Sequence, residues 1–179
     1  MKKVIFLAIV AAMAITPLSA QQFQKGTSAV NLGIGIGTTF GGVGTGRPAV
    51  MLSYDHGMWD AGDTGIISIG GYVGNTGYSY KDGTYSYKWN YWLVGARGAY
   101  HYHGFKNIPQ LDPYAGLMLG YNLVTYSHSS EYTGPGSYGS GIGFSFFLGG
   151  RWFFSDNFAA FAELGYGIAV LNAGVSFKF

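Results

Sequence analysis

The sequence ends in the stretch NAGVSFKF (residues 172–179), whose side chains alternate strictly between two chemical types. One set is apolar and consists of Ala173, Val175, Phe177 and Phe179. The other set is small or polar and consists of Asn172, Gly174, Ser176 and Lys178. A period of two residues is that of a β-strand. Chain termini are usually frayed and polar, so a strand that ends on an aromatic ring predicts an apolar environment for that ring.

The same alternation recurs throughout the chain. The alternating segments are 30–37, 50–55, 67–73, 92–102, 114–123, 142–152, 158–165 and 172–179. Each segment, with its flanking residues, can supply the roughly nine to eleven residues that a tilted membrane strand needs. Single-chain membrane barrels have an even number of antiparallel strands. The pattern therefore predicts an all-β fold, an eight-stranded antiparallel up-and-down transmembrane β-barrel.

Composition separates a membrane barrel from a soluble one. Charged residues make up 10% of the chain, against about 25% in soluble domains, and a soluble surface needs more charge than this. A soluble barrel would carry Lys and Glu on its polar face, because that face meets water. Here the polar face consists mostly of Gly, Ser and Asn. We therefore predict that the apolar face meets lipid and that the polar face fills a narrow lumen.

The N-terminus has the pattern of a secretory signal peptide. Lys2 and Lys3 precede the apolar stretch 4–15, and Leu18-Ser19-Ala20 is a suitable cleavage site. We predict a signal peptide over residues 1–20 and an outer-membrane barrel over residues 21–179. Cleavage leaves eight Lys and Arg residues against eight Asp and Glu residues. Without a basic patch, nucleic acid is not an expected partner.

The connections predict how the barrel is oriented. With the N-terminus in the periplasm, segments 38–47, 75–87 and 126–140 are external, and 57–64, 104–111 and 155–157 are internal. The external segments are mostly longer, as in known barrels, whereas 166–169 is predicted to be a tight outer turn. Aromatic residues near the strand ends are predicted to form interfacial girdles. They are Trp59, Trp89, Trp92, Tyr100, Tyr102, Trp152, Phe153, Phe154 and Phe158.

Several charged residues fall on the predicted lumen face, among them Asp55, Arg97, Arg151 and Glu163. Asp55 and Glu163 can neutralise Arg97 and Arg151, as burial of charge requires. The side chains predicted to fill the lumen are Tyr72, Arg97, Tyr114, Phe147, Arg151 and Glu163. Eight strands enclose a space just wide enough for side chains, so a general diffusion pore is not expected.

The chain ending resembles the C-terminal assembly signal of outer-membrane β-barrel proteins. Asn172, Gly174, Phe177 and Phe179 match the polar, glycine and aromatic positions of that signal. The whole predicted mature chain resembles the small eight-stranded barrels of the OmpA-transmembrane/OmpX class. The resemblance implies localisation in the outer membrane of a Gram-negative bacterium and insertion by the β-barrel assembly machinery. It also implies that Phe177 and Phe179 face outer-membrane lipid near the periplasmic interface.

One stretch offers a surface for binding. Tyr78, Tyr80, Tyr85 and Tyr87 alternate around Asp82-Gly83, a dipeptide typical of tight hairpin turns. We expect the third and fourth strands to continue outside the membrane as a hairpin. Tyrosine offers amphipathic contact area at low entropic cost. The hairpin is a candidate external site for an unidentified partner, a glycan or a neighbouring strand edge, or a rigid loop with interfacial aromatics.

Catalytic alternatives are weaker. His128 and Ser130 have strand spacing and resemble part of the catalytic stretch of outer-membrane lipid A deacylases. That resemblance implies a lipid A-modifying enzyme, but Ser129 stands where those enzymes have Asn, and the sixth strand holds no Glu. We interpret the stretch as a polar outer loop.

A metal site is also weakly indicated. His101 and His103 share a strand face, with Asp112 or His56 available nearby, whereas a structural metal site needs about four ligands. We interpret these residues as rim polarity and expect no metal, cofactor or catalytic residue. The function predicted from sequence is a non-enzymatic barrel with a structural role in the envelope.

Overall fold

The computed structural model of the protein describes residues 22–38, 45–82, 85–128 and 139–179. The predicted signal peptide lies outside these residues, as do Gly83, Thr84 and Ser130. Within the described ranges, no helix is both long enough and apolar enough to cross a membrane.

Eight antiparallel strands close into one barrel, as predicted from the sequence. They are β1 (Ser28–Ile36), β2 (Thr45–Asp60), β3 (Gly65–Asp82), β4 (Tyr85–Tyr102), β5 (Leu111–His128), β6 (Gly141–Phe153), β7 (Phe158–Gly165) and β8 (Leu171–Lys178). Each strand pairs with its neighbours in sequence, and β8 closes the barrel against β1. A single 3-10 turn, Gly62–Thr64, lies between β2 and β3. The up-and-down order leaves no unpaired edge, which is the condition for crossing lipid with strands.

The two faces of the strands differ as the alternation predicts. Large apolar side chains are exposed on the outside; examples are Leu32, Ile34, Leu117, Leu119, Phe144, Phe146 and Leu148. Polar and charged side chains are buried inside; examples are Asn31, Ser53, Asp55, Arg97, Asp112, Arg151 and Glu163. A barrel in water would have the reverse arrangement, so the outer surface is suited to lipid.

The barrel has two ends of different build. We call the end where β1 begins and β8 ends, together with the connections after β2, β4 and β6, the terminal end, and the opposite end the loop end. Several predicted connections belong to strands instead. At the loop end, β3 and β4 continue until Asp82 pairs with Tyr85, so most of the predicted loop 75–87 is ladder. The expected continuation of the third and fourth strands is thereby confirmed, and its position outside the membrane stays a prediction.

Other strand ends also extend beyond the apolar alternation. β2 starts at Thr45 and runs to Asp60, and β5 runs from Leu111 to His128. The predicted bounds 50–55 and 114–123 were therefore too short. Backbone pairing continues where the outward residues turn polar, since the ladder needs hydrogen-bond partners rather than apolar side chains.

Two girdle assignments were wrong. Phe153 is fully buried, because it points into the lumen, where the Lys178 ammonium lies 4.6 Å from its ring centroid. Trp89 packs against the inner apolar cluster rather than against the outside. The residues 166–170 after β7 are likewise more than a turn, since Ile168 and Ala169 are buried in the loop-end mouth.

Candidate functional site

The lumen holds a network of buried charges centred on Arg97. Its Nε lies 3.1 Å from Asp55 Oδ1, and its Nη2 donates to Glu163 Oε2 at 2.8 Å. The Tyr114 hydroxyl donates a second bond to Glu163 Oε2 at 3.2 Å. The guanidinium carbon lies 3.9 Å from the centroid of the Phe147 ring, within cation–π distance. Arg97 is thus held between two carboxylates and an aromatic face.

Arg151 extends this network toward the terminal end. Its Nη2 contacts Asp55, its Nη1 donates to Asp112 Oδ2 at 2.9 Å, and its Nε donates to Asn31 Oδ1 at 3.0 Å. Asp55 therefore bridges both guanidinium groups. The Arg151 side chain is 0% exposed, so its charge is compensated by these carboxylates rather than solvated by water. A buried charge is tolerated when it is paired and hydrogen-bonded in this way.

The residues His101 and Asp112 join the same network. His101 Nδ1 lies 2.9 Å from Asp112 Oδ1, and its Nε2 lies 2.9 Å from Ser68 Oγ. Both side chains are fully buried, so the interpretation of this pair as rim polarity is wrong. Among the residues that the structure describes, no cluster of three or more His, Cys, Asp or Glu side chains could hold a metal.

His103 lies just beyond β4, outside the network. It is half-buried, and burial lowers the pKa of its imidazole below the usual value. His101 is thus a buried member of the ion network and His103 is not, although the two share a strand face in the sequence pattern.

Sequence reasoning placed Asp55, Arg97, Arg151 and Glu163 on the lumen face but missed two members of the network. The sequence pattern does indicate both missed residues, His101 and Asp112. His101 is four residues from Arg97 and thus on the same face, and Asp112 pairs in register with Arg151 across β5 and β6. Extending the strand period by two residues below Tyr114 would have placed Asp112 inside.

Both mouths of the lumen are covered by residues outside the strands. At the terminal end, Phe23 is 0% exposed and stacks on His101 with ring centroids 4.5 Å apart. Gln22 Nε2 donates to the Leu111 carbonyl, which fixes the segment across the mouth. At the loop end, Ile168 is 1% exposed and belongs to the inner apolar cluster. Beside Arg97 and Glu163 a void of only about 20 Å³ remains, room for about one water.

The aromatic side chains of the loop end form a second group, which we call the aromatic extension. It consists of Tyr78, Tyr80, Tyr87, Trp89, Tyr91 and Tyr126. The rings contact one another across the strands. Centroid distances are 6.2 Å for Tyr80–Tyr87, 6.2 Å for Tyr87–Trp89 and 5.4 Å for Trp89–Tyr126. The side chain of Tyr85, the fourth predicted hairpin tyrosine, lies outside the described residues, as does that of His128.

The strand register places the aromatic extension on the inner face. Tyr78 and Tyr80 follow Tyr72 at even spacing on β3, and Trp89 and Tyr91 precede Leu93 and Arg97 at even spacing on β4. The same face is therefore charged within the barrel and aromatic beyond it. Tyr80 and Tyr126 are each 37% exposed, so part of this face is open to solvent.

The terminal residues lie at the seam between β8 and β1. Gly174 pairs with Gly33, and a Cβ at Gly174 would collide with the Leu32 carbonyl oxygen. Asn172 faces inward and is buried, whereas Phe177 and Phe179 are exposed on the outside with ring centroids 6.0 Å apart. Glycine at this position thus allows the close approach of the two strands that close the barrel.

No protein-family model and no curated protein matches the chain. The solved structures that share its fold include the following two natural barrels. Ail, the attachment invasion locus protein of Yersinia pestis, was solved in complex with the heparin analogue sucrose octasulfate. It aligns with a TM-score of 0.52 and 13% identity over 87% of this chain and 100% of that one. The N-terminal β-barrel domain of Pseudomonas aeruginosa OprF aligns with a TM-score of 0.50 and 16% identity over 87% and 98%. The protein thus has the closed eight-stranded barrel fold of these two proteins.

Proposed function

We propose that the protein is a non-enzymatic integral outer-membrane barrel with a structural role in the cell envelope. The observation that supports this most directly is the closed lumen. Arg97 and Arg151 are paired with carboxylates, Phe23 and Ile168 cover the two mouths, and the void beside Arg97 and Glu163 takes about one water. Such an interior stabilises a barrel and leaves little space for a solute or substrate.

The proposed orientation places the terminal end in the periplasm and the loop end outside the cell. Exposed apolar side chains such as Leu117, Leu119 and Phe146 surround the barrel between these ends. Phe177 and Phe179 lie on the lipid-facing side at the terminal end, as the proposed recognition by the assembly machinery requires. Long strands on the outer side and short connections on the periplasmic side are usual in such barrels.

A deletion strain tests the proposed role. If the barrel is structural, we expect increased sensitivity to detergent and leakage of periplasmic enzymes, both restored by the intact gene. The matched control is a plasmid carrying Asp55→Asn, which should restore the envelope poorly because it weakens the ion network. A loss of one lipid A acyl chain upon deletion, with an intact envelope, would instead identify a lipid A-modifying enzyme. His128→Ala and Ser130→Ala would then be the variants to examine.

A second candidate is binding at the cell surface through the aromatic extension. The observation that favours it is the continuous contact of Tyr80, Tyr87 and Trp89 on a partly exposed face. Aromatic faces of this kind stack on flat apolar groups, such as the rings of sugars or partner side chains. Because Ail was solved with a heparin analogue, heparin is a sensible first probe.

The test compares adherence of expressing cells to a heparin-coated surface. Changing Tyr78, Tyr80, Tyr85 and Tyr87 to Ser should abolish adherence if the extension binds, while the amount of folded barrel stays the same. Changing Tyr100 and Tyr102 to Ser alters exposed tyrosines at the other end and serves as the control. Equal adherence of both variants would reject this candidate.

A further inference from the structure

The outer face of the loop end carries a polar belt that the network and the aromatic extension do not use. Its residues follow directly after the apolar outer face of the strands. On β4 the outward residues from Tyr102 to Trp92 are aromatic, aliphatic or glycine, and they then become Asn90 and Lys88. The apolar run spans 92–102, which matches the roughly nine to eleven residues of a tilted membrane strand. The belt therefore begins where the hydrocarbon should end, if the proposed membrane placement holds.

The strand register aligns this boundary across neighbouring strands. Arg47 of β2 pairs with Gly77 of β3, which pairs with Asn90 of β4, which in turn pairs with Thr125 of β5. One row nearer the tip, Ser79 pairs with Lys88. Rows on one face of a strand are about 7 Å apart. Arg47 and Lys88 thus project outward from adjacent rows at the lipid–water boundary.

Arg47 is held in place rather than free in solvent. A β-bulge between Arg47 and Val50 redirects the strand, and bulges commonly re-aim a side chain. The guanidinium lies across Gly77, where a Cβ would come within 3.0 Å of its Nε. Its Nη2 contacts the Asn75 side-chain oxygen and donates to Asn90 Oδ1 at 2.6 Å. Gly77 thus provides the floor on which the guanidinium rests.

The partners of Arg47 are neutral amides and a backbone carbonyl, and its positive charge is uncompensated among the described residues. Of the charged side chains that the structure describes at the loop end, Arg47, Lys81 and Lys88, all are cationic and exposed. A shallow depression of about 220 Å³ is lined by Arg47, Gly77, Ser79, Lys88 and Asn90, among others. Oriented guanidinium and ammonium donors beside a neutral floor are suited to a phosphate.

We propose that this outer belt binds the phosphorylated head group of an outer-leaflet lipid. Arg47 supplies the oriented donors, and Lys88 adds a second positive charge to the same depression. The site faces lipid rather than the lumen. The acyl chains of the bound lipid would therefore lie against Val50, Val73 and Trp92. The inference rests on the proposed placement of the barrel in the outer membrane.

The experiment uses the protein, freed of its signal peptide and refolded into phosphatidylcholine vesicles, with diphosphorylated lipid A as the probe. A heat-dependent shift in gel migration first shows whether the barrel has inserted. Binding of lipid A is then measured for the wild type, for Arg47→Gln/Lys88→Gln and for the control Lys25→Gln/Lys106→Gln. The control removes two cations at the terminal end. Dephosphorylated lipid A of the same acyl composition isolates the contribution of the phosphates.

We expect about tenfold weaker binding of lipid A by Arg47→Gln/Lys88→Gln, since charge-assisted bonds are the strong ones. The control variant should bind like the wild type, and dephosphorylated lipid A should not distinguish the variants.

If the double variant fails to insert, Lys88→Gln alone is expected to weaken binding several-fold. Equal binding by inserted wild type and variants would overturn the site but leave the membrane placement intact. Displacement by equimolar inorganic phosphate would overturn a lipid as the occupant. A wild type that never inserts would overturn both.

Discussion

The inner face of β3, β4 and β5 has two regions of opposite chemistry. Within the barrel this face carries Arg97, which pairs with Asp55 of β2 and Glu163 of β7, and all three side chains are buried. Beyond the barrel the same face carries the aromatic extension, partly open to solvent. One continuous strand ladder connects the two regions. The comparison shows that one strand face with a constant backbone geometry can carry buried, paired charges inside the barrel and a solvent-accessible contact surface beyond it.

Burial explains why the two regions cannot exchange their residues. Charges within the lipid-surrounded section must be paired, because desolvation of an isolated ion is costly. Aromatic rings beyond that section need no partner ions and gain from contact with each other. The barrel section should therefore be sensitive to the loss of a single charged partner, whereas the extension should tolerate substitution.

The largest effect is expected where closure of the barrel itself fails. Replacing Phe177 and Phe179 by Ser removes the two exposed rings at the end of the chain, and we expect loss of outer-membrane insertion and degradation in the periplasm. Immunoblotting of membrane fractions measures this. Replacing Phe105 and Phe154 by Ser removes two exposed rings outside the strands at the same end and serves as the control. Unchanged membrane levels of the Phe177/Phe179 variant would show that assembly does not require the terminal rings.

The next largest effect is expected at Asp55, which bridges Arg97 and Arg151. Asp55→Asn leaves two buried guanidinium groups short of a carboxylate, and this should lower the free energy of unfolding by about 3–5 kcal/mol. Urea unfolding in vesicles measures the loss. The control is Asp60→Asn, which removes a carboxylate from an exposed pair with Lys25 and should cost less than about 1 kcal/mol. Similar losses in the two variants would show that the lumen pairs contribute no more than surface pairs.

A smaller effect is expected at the terminal mouth. Phe23→Ala removes a buried ring that stacks on His101, and we expect a loss of about 3 kcal/mol from the cavity it leaves. Phe23→Leu should retain most of the stability, because it keeps much of the volume. The unfolding midpoint in urea distinguishes them. If Phe23→Ala unfolds like the wild type, the segment before β1 does not close the lumen.

The smallest effect on the barrel is expected in the aromatic extension. Changing Tyr78, Tyr80 and Tyr87 to Ser should change the unfolding midpoint little, because loop-end rings lie outside the lipid-surrounded ladder. Any effect should appear in surface adherence instead. A large drop in barrel stability would contradict the division between the two regions.

Much of the fold could be predicted from the sequence because membrane strands alternate in residue type. The period of two located every strand and put Asp55, Arg97, Arg151 and Glu163 on one face. It also indicated that the Tyr alternation continues β3 and β4 beyond the membrane. Strand bounds were less certain, since β2 and β5 continue through polar residues that give no apolar signal.

The remaining features could not be predicted because they lie outside the alternation. Phe23 is a single ring in a polar stretch before β1, and nothing local indicates that it enters the lumen. Ile168 lies in a short connection, where burial depends on the width of the mouth. Which carboxylate pairs with which guanidinium depends on the closed barrel, which brings Arg151 of β6 against Asp55 of β2.

A double-mutant cycle on Asp55 and Arg151 tests most directly whether the paired lumen supports the barrel. The free energy of unfolding would be measured in vesicles for the wild type, Asp55→Asn, Arg151→Met and the double variant, with Lys25 and Asp60 as the surface pair for comparison. We predict a coupling energy of about 2 kcal/mol or more for the buried pair and below about 1 kcal/mol for the surface pair. Equal coupling energies for the two pairs would contradict the account.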